Sequence, residues 1–220
     1  ALNNKRWSLT RLNRHEDAVK CCNQFLAIEP QNETFMLHKG YSLKMCNRLE
    51  EALATYEGII ENYNNRKETA LKGLEYAKIL SKAWSAKGWV LAAMDRGDET
   101  LACYDKAIEA WSENELALTN KGDALRVMNR NEEALACYDK AIKINPNDAS
   151  TWSGKGNIEI KLGRYIEANE SLDRALEIDD WHELTYVNKA ELYSRQDDTL
   201  NAERQLNIIL EPVSYTHLTL

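Results

Sequence analysis

The chain has 220 residues, 44% of them apolar and 29% charged, a balance that excludes wholesale disorder. Its 9 Gly and 3 Pro leave long helix-forming stretches, and the longest apolar run, Trp89 to Met94, falls far short of the ~20 residues that cross a bilayer. A net charge of −7 with no Lys or Arg run to offset it argues against a phosphate backbone, so neither nucleic acid nor membrane is an expected partner.

Along the chain the dominant feature is repetition. LACYDKAI stands at 101–108 and again, unchanged, at 135–142, a spacing of 34 residues. A fixed period of this size marks a repeat array. Asn13-Arg14 recurs as Asn47-Arg48 and Asn129-Arg130, each leading into an Ala at the same distance. In order, the units run 1–32, 33–66, 81–114, 115–148, 149–182 and 183–212, with a 14-residue insertion at 67–80. Each unit is predicted to be two helices.

Position eight of the unit holds Gly40, Gly88, Gly122 and Gly156, with Ala190 in a fifth copy. Position 20 holds Ala18, Ala52, Ala134, Ala168 and Ala202, with Thr100 as the exception. Position 27 holds Ala107, Ala141 and Ala175, and position 24 holds Tyr56, Tyr104, Tyr138 and Leu172. Large aromatics, Trp84, Trp152 and Tyr186, stand at position four. Positions 4, 8 and 11 share one face of a first helix, and 20, 24 and 27 one face of a second. The small residues let two backbones approach, and the large one at 24 fills the space beside them. One such pair cannot enclose its own apolar face, so each unit must pack on the next.

The insertion KETALKGLEYAKIL keeps helical phase, which predicts one extended helix over 67–94 with Gly73 its weakest point. VSYTHLTL at 213–220 fits no repeat and resembles a translated sequencing-adapter read. It is expected to be a non-native tail on a fragment of a longer chain, and is set aside.

This pattern of small and large positions resembles the tetratricopeptide repeat family over nearly the whole chain. Lys39, Lys87, Lys121 and Lys155 depart from it, standing where Leu usually precedes the Gly, as does Asp180 in the place of Pro. The resemblance implies an all-α fold, a right-handed superhelical solenoid of about six antiparallel helix pairs, with the first helices lining a concave groove. On those helices the ninth position reads Trp7, Tyr41 and Trp89, then Asp123, Asn157 and Glu191. Leu37, Met45 and Ala92 flank the aromatic half; Asn120, Arg126, Lys161, Asn188 and Arg195 flank the polar half. Three aligned aromatics would form an apolar patch suited to anchoring a ligand, or would pack on neighbouring first helices. The motifs of the family's acidic-peptide clamp and Asn ladder are not reproduced: Ser153 precedes Asn157, and His38, Ala86 and Gly154 interrupt Asn4, Asn120 and Asn188.

Little else points to chemistry. His15, His38 and His182 form no helical metal pair and read as surface or groove residues. Cys21, Cys103 and Cys137 share position 23 and read as small buried hydrophobes. The glycines recur singly, not as a phosphate loop, and the Glu pairs before Ala52 and Ala134 suit helix N-termini. No catalytic residue, metal site or cofactor is expected, and five Cys without a disulfide framework suggest the cytoplasm. The expected function is a protein-interaction scaffold or adaptor that takes a partner's peptide or helix in its groove. The alternative is the regulatory or substrate-docking region of a larger truncated enzyme, such as a glycosyltransferase or kinase. RNA-binding helical repeats fit less well, given the 34-residue period and the acidic balance.

Overall fold

The computed structural model describes residues 2–65 and 73–210; the side chains of residues 2 and 3 are not among those described. Twelve helices and no strand occur among the described residues: α1 (Leu2–Arg11), α2 (His15–Leu26), α3 (Glu33–Met45), α4 (Leu49–Asn65), α5 (Leu74–Ala93), α6 (Gly97–Ala110), α7 (Glu115–Val127), α8 (Asn131–Ile144), α9 (Ala149–Lys161), α10 (Tyr165–Ile178), α11 (Glu183–Arg195) and α12 (Thr199–Leu210). Consecutive pairs correspond to the six repeat units read from the sequence, α5 beginning within the insertion. They form two compact bodies, unit 1 covering 1–124 and unit 2 covering 125–220. Within unit 1 consecutive helices from α1 to α6 pack on each other, and α3 also meets α5. Within unit 2 the same holds from α8 to α12, with α9 meeting α11.

The turn inside every hairpin is made the same way. Asn13, Asn47, Asp95, Asn129, Gly163 and Asp197 all occupy position 15, and all have positive φ, between 54° and 73°. Each lets the following N–H reach back to the carbonyl at position 11, as Arg48 N donates to Leu43 O at 2.9 Å. This left-handed closure satisfies carbonyls that the first helix leaves open. The next residue, an Arg in five units, precedes the second helix, and in four of them it chelates the acid three residues on: Arg14 with Asp17, Arg48 with Glu51, Arg96 with Glu99, Arg130 with Glu133. Those guanidinium groups hold the carboxyls of Asp17, Glu51 and Glu99 below the ordinary range.

The repeat positions meet as their sizes demand. Tyr56, Tyr104, Tyr138 and Leu172 are enclosed, as are Ala18, Ala52, Ala134 and Ala168. Gly40 lies against the ring of Tyr56, Gly88 against Tyr104 and Gly156 against Leu172, always sixteen residues apart, while Gly122 is likewise buried. Tyr138 additionally fills the space beside Gly154 on the next first helix. Ala202 differs: it is only half-buried, because α12 has no buried residue. Thr100 fits an Ala position by turning its hydroxyl onto Arg96 O, at 2.9 Å. In the first hairpin the sizes are exchanged, with bulky Arg6 at the Gly position and small Cys22 at the Tyr position, both buried.

The lysines that depart from the repeat pattern have a structural role. At position seven of one hairpin, three of them reach the acid at position 25 of the preceding one, whereas Lys39 stands opposite Asn23 at that position. Lys87 meets Glu57 at 2.9 Å, Lys121 meets Asp105 at 2.5 Å and Lys155 meets Asp139 at 2.8 Å. Lys189 and Asp173 make the same contact. The pairing of Glu57 with Lys87 spans the insertion, so the extra residues leave the hairpin-to-hairpin register unchanged. Their described part, from Leu74, lengthens α5, and this extension is held by Tyr76, which donates to Tyr63 O at 2.8 Å. The helix expected over 67–94 does not run through Gly73. That residue is the extended N-cap of α5, with ψ 170°, and 67–72 lie outside the described residues. A glycine has little to hold it in helical φ and ψ when nothing packs there, and no atom lies within 4 Å of where its Cβ would be. The tail 213–220 also lies outside the described residues.

Glu159 is the one first-helix position 11 with an acid; Leu9, Leu43, Leu91, Leu125 and Tyr193 occupy it elsewhere. It is 4% exposed, accepts from Ser171 Oγ at 2.7 Å and lies 3.8 Å from Lys155, and burial raises its pKa.

Candidate partner-binding surface

In unit 1 the aromatics at position nine come together across hairpins. Tyr41 of α3 and Trp89 of α5 stack with centroids 5.8 Å apart and planes at 17°. Lys44, one turn after Tyr41, places its ammonium 3.1 Å from the Trp89 ring centroid, a cation–π contact. Burial pulls the Lys44 pKa down. The edge of His15 meets Tyr41 at 6.0 Å. Trp7 keeps apart from this pair, with the guanidinium of Arg11 4.7 Å from its ring centroid. Tyr41 is 39%, Met45 45% and Trp7 55% exposed, and Trp89 is half-buried. Leu37 packs on the core of unit 1.

His38 lies between these elements and the charges of Arg6 and Lys82. Burial first, then those two cations, push its pKa down to about 4. His15, expected at the surface, is buried at the start of α2, and its Nδ1 has no hydrogen-bond partner. Asn120 and Asp123 on α7 are half-buried.

In unit 2 the polar positions form a different arrangement. Asn188 is 4% exposed, and its amide donates to the Ser153 hydroxyl and carbonyl at 3.0 and 3.2 Å while accepting from Asn157 at 3.0 Å. Its groups are therefore engaged inside the unit, tying α9 to α11. The Asn157 carbonyl oxygen is buried and unpartnered. Arg126 is half-buried, Lys161 is exposed, and Glu191 pairs with Arg195 at 3.1 Å. Leu184 and Val187, missed by the sequence reading, stand exposed beside Asn188. His182 caps α11 and contacts Thr185 and Ser150.

The cysteines are buried as expected at position 23, and burial raises the Cys103 thiol; Cys22 is pushed up to about 11. Among the described residues no group of three or more His, Cys, Asp or Glu could hold a metal ion, and no helix is long and apolar enough to cross a membrane.

Two Tetratricopeptide repeat family models match the chain, at 116–148 and 137–168. Solved structures share its fold. PilF of Pseudomonas aeruginosa is 16% identical with a TM-score of 0.75, the match covering 97% of this chain and 92% of that one. A tetratricopeptide repeat protein of Parabacteroides merdae is 16% identical with a TM-score of 0.69, covering 96% and 79%. YrrB, a TPR protein with an unusual peptide-binding site, is 20% identical with a TM-score of 0.60, covering 88% and 92%. No curated protein matches the chain.

Proposed function

Because this chain belongs to the tetratricopeptide-repeat family, we propose that it is an interaction scaffold whose unit 1 holds an extended or helical segment of a partner protein on Tyr41 and Trp89. The observation that supports this is the stacked pair itself. Rings that serve only hairpin packing are enclosed, as Tyr56 and Tyr104 are, whereas Tyr41 leaves part of its ring in solvent beside exposed Met45. Rigid aromatics lose little entropy on contact and bury large areas, which suits them as anchors. A peptide-binding site in YrrB, which shares the fold, supports the reading.

Replacing Tyr41 and Trp89 by Ala is expected to weaken capture of a bound partner by more than ~1 kcal/mol each, measured by calorimetry, with the thermal melt retained. Equal affinity in the wild type and the double variant removes this surface as the binding site.

A further inference from the structure

We propose that the partner segment is acidic: an extended peptide that sets an apolar or aromatic side chain on Tyr41 and Trp89, with flanking carboxylates on Arg11, Lys44 and Lys82. This rests on the reading of unit 1 as a peptide site and specifies the ligand's chemistry.

Charge in unit 1 is sorted by helix. The first helices α1, α3 and α5 hold eight Lys and Arg against two Glu, a balance of +6. The second helices α2, α4 and α6 hold ten Asp and Glu against two Lys, a balance of −8. A chain of net charge −7 therefore gathers its positive charge on the helices that carry the stacked aromatics. The cations of the hairpin framework are matched: Arg14, Arg48 and Arg96 chelate acids on their own helices, and Lys87 and Lys121 bridge hairpins. Arg11 and Lys44 instead lie on the faces of Trp7 and Trp89, and no carboxylate among the described residues lies within ion-pair distance of either. Lys82 is exposed and also lacks such a partner.

A ring face stabilises a cation but does not neutralise it. The field of this surface is correspondingly positive. At Lys44 an incoming carboxylate meets a cation that is half-buried and already positioned over a ring, so little ordering is needed there. A nucleic acid fits less well. It bears a charge at every residue, and beyond the three cations its backbone would run onto the acids of α2, α4 and α6. A peptide can alternate carboxylates with apolar side chains and continue uncharged.

A random library of short peptides selected on the full chain tests this, with recovered peptides resynthesised for calorimetry. The expected binders carry Asp or Glu on both sides of an aromatic or Leu. Their affinity should fall about tenfold when Arg11, Lys44 and Lys82 are changed to Glu, and several-fold as salt is raised. Resynthesis of each peptide with Gln for its acids gives the same comparison without altering the protein. Binders without acidic excess that are lost in the Tyr41→Ala/Trp89→Ala variant overturn the acidic ligand while leaving the surface standing. Binders indifferent to that double variant, or recovery of no peptide, overturn both. Binding of an oligouridine that depends on the same three cations replaces the peptide by nucleic acid.

Discussion

A methyl group added at Gly88 would lie 2.8 Å from Cε1 of Tyr104, inside contact distance of an enclosed ring. Ala would gain about 1 kcal/mol in helix propensity, but the clash costs about 1–3 kcal/mol, so Gly88→Ala should lower stability in urea unfolding. Gly58→Ala is the control. Its nearest neighbour is the flexible Met36 Cε at 3.5 Å, and propensity should make that variant more stable by about 0.5–1 kcal/mol. Both glycines lie in helices, but only the repeat register distinguished them. A second residue-scale effect concerns His38. Its folded pKa is below the unfolded one, so the unfolded chain binds more protons between 6.5 and about 4. Stability at His38 is present above pH 6.5 and is lost as pH falls through that window. His38→Gln should flatten this part of the stability profile relative to wild type. The left-handed turns were half legible. Asn-Arg recurs visibly, but Asp95, Gly163 and Asp197 show that the position selects a backbone conformation, not one residue type.

Among helices, the recurring contact is the Lys at position seven with the acid at 25. From sequence these lysines were departures from the family pattern. Their partners lie on another helix, sixteen residues away for Lys121 and Lys155 and thirty for Lys87, beyond the reach of any i, i+4 rule. Lys189 is the most enclosed of them, 9% exposed, and its loss or isolation should differ. Lys189→Met keeps the apolar stem and removes the charge, so stability should change by less than about 1 kcal/mol. Asp173→Ala leaves the ammonium without its carboxylate and should cost more, about 1–2 kcal/mol, in the same urea unfolding measurement. The helix pairs themselves were legible because packing small against large imposes a period. The N-terminus of α5 was not, since phase alone cannot tell whether Gly73 stays helical. The candidate surface was legible in Tyr41 and Trp89, whose shared position put them in line. Lys44 and Arg11 were not singled out, although each stands three or four residues after its aromatic, on the same helix face.

Across the molecule, protection is expected to be uneven. Helix α12 buries no residue, whereas α9 and α10 enclose Ile158, Ala168 and Leu172. Amide exchange followed by mass spectrometry should show α12 exchanging first and the α9–α10 hairpin last within unit 2. Slow exchange throughout α12 would mean that a surface not seen here covers it. The LACYDKAI copies show what a repeated contact allows. Asp105 and Asp139 stand at the same place in identical octets, and each faces a lysine sixteen residues on. Excising 115–148 would set Asp105 opposite Lys155 at that same separation, and duplicating the segment would add one more such pair. Unequal recombination between the two octets could therefore shorten or lengthen the gene by whole hairpins, each new junction arriving with its electrostatic mate already in place.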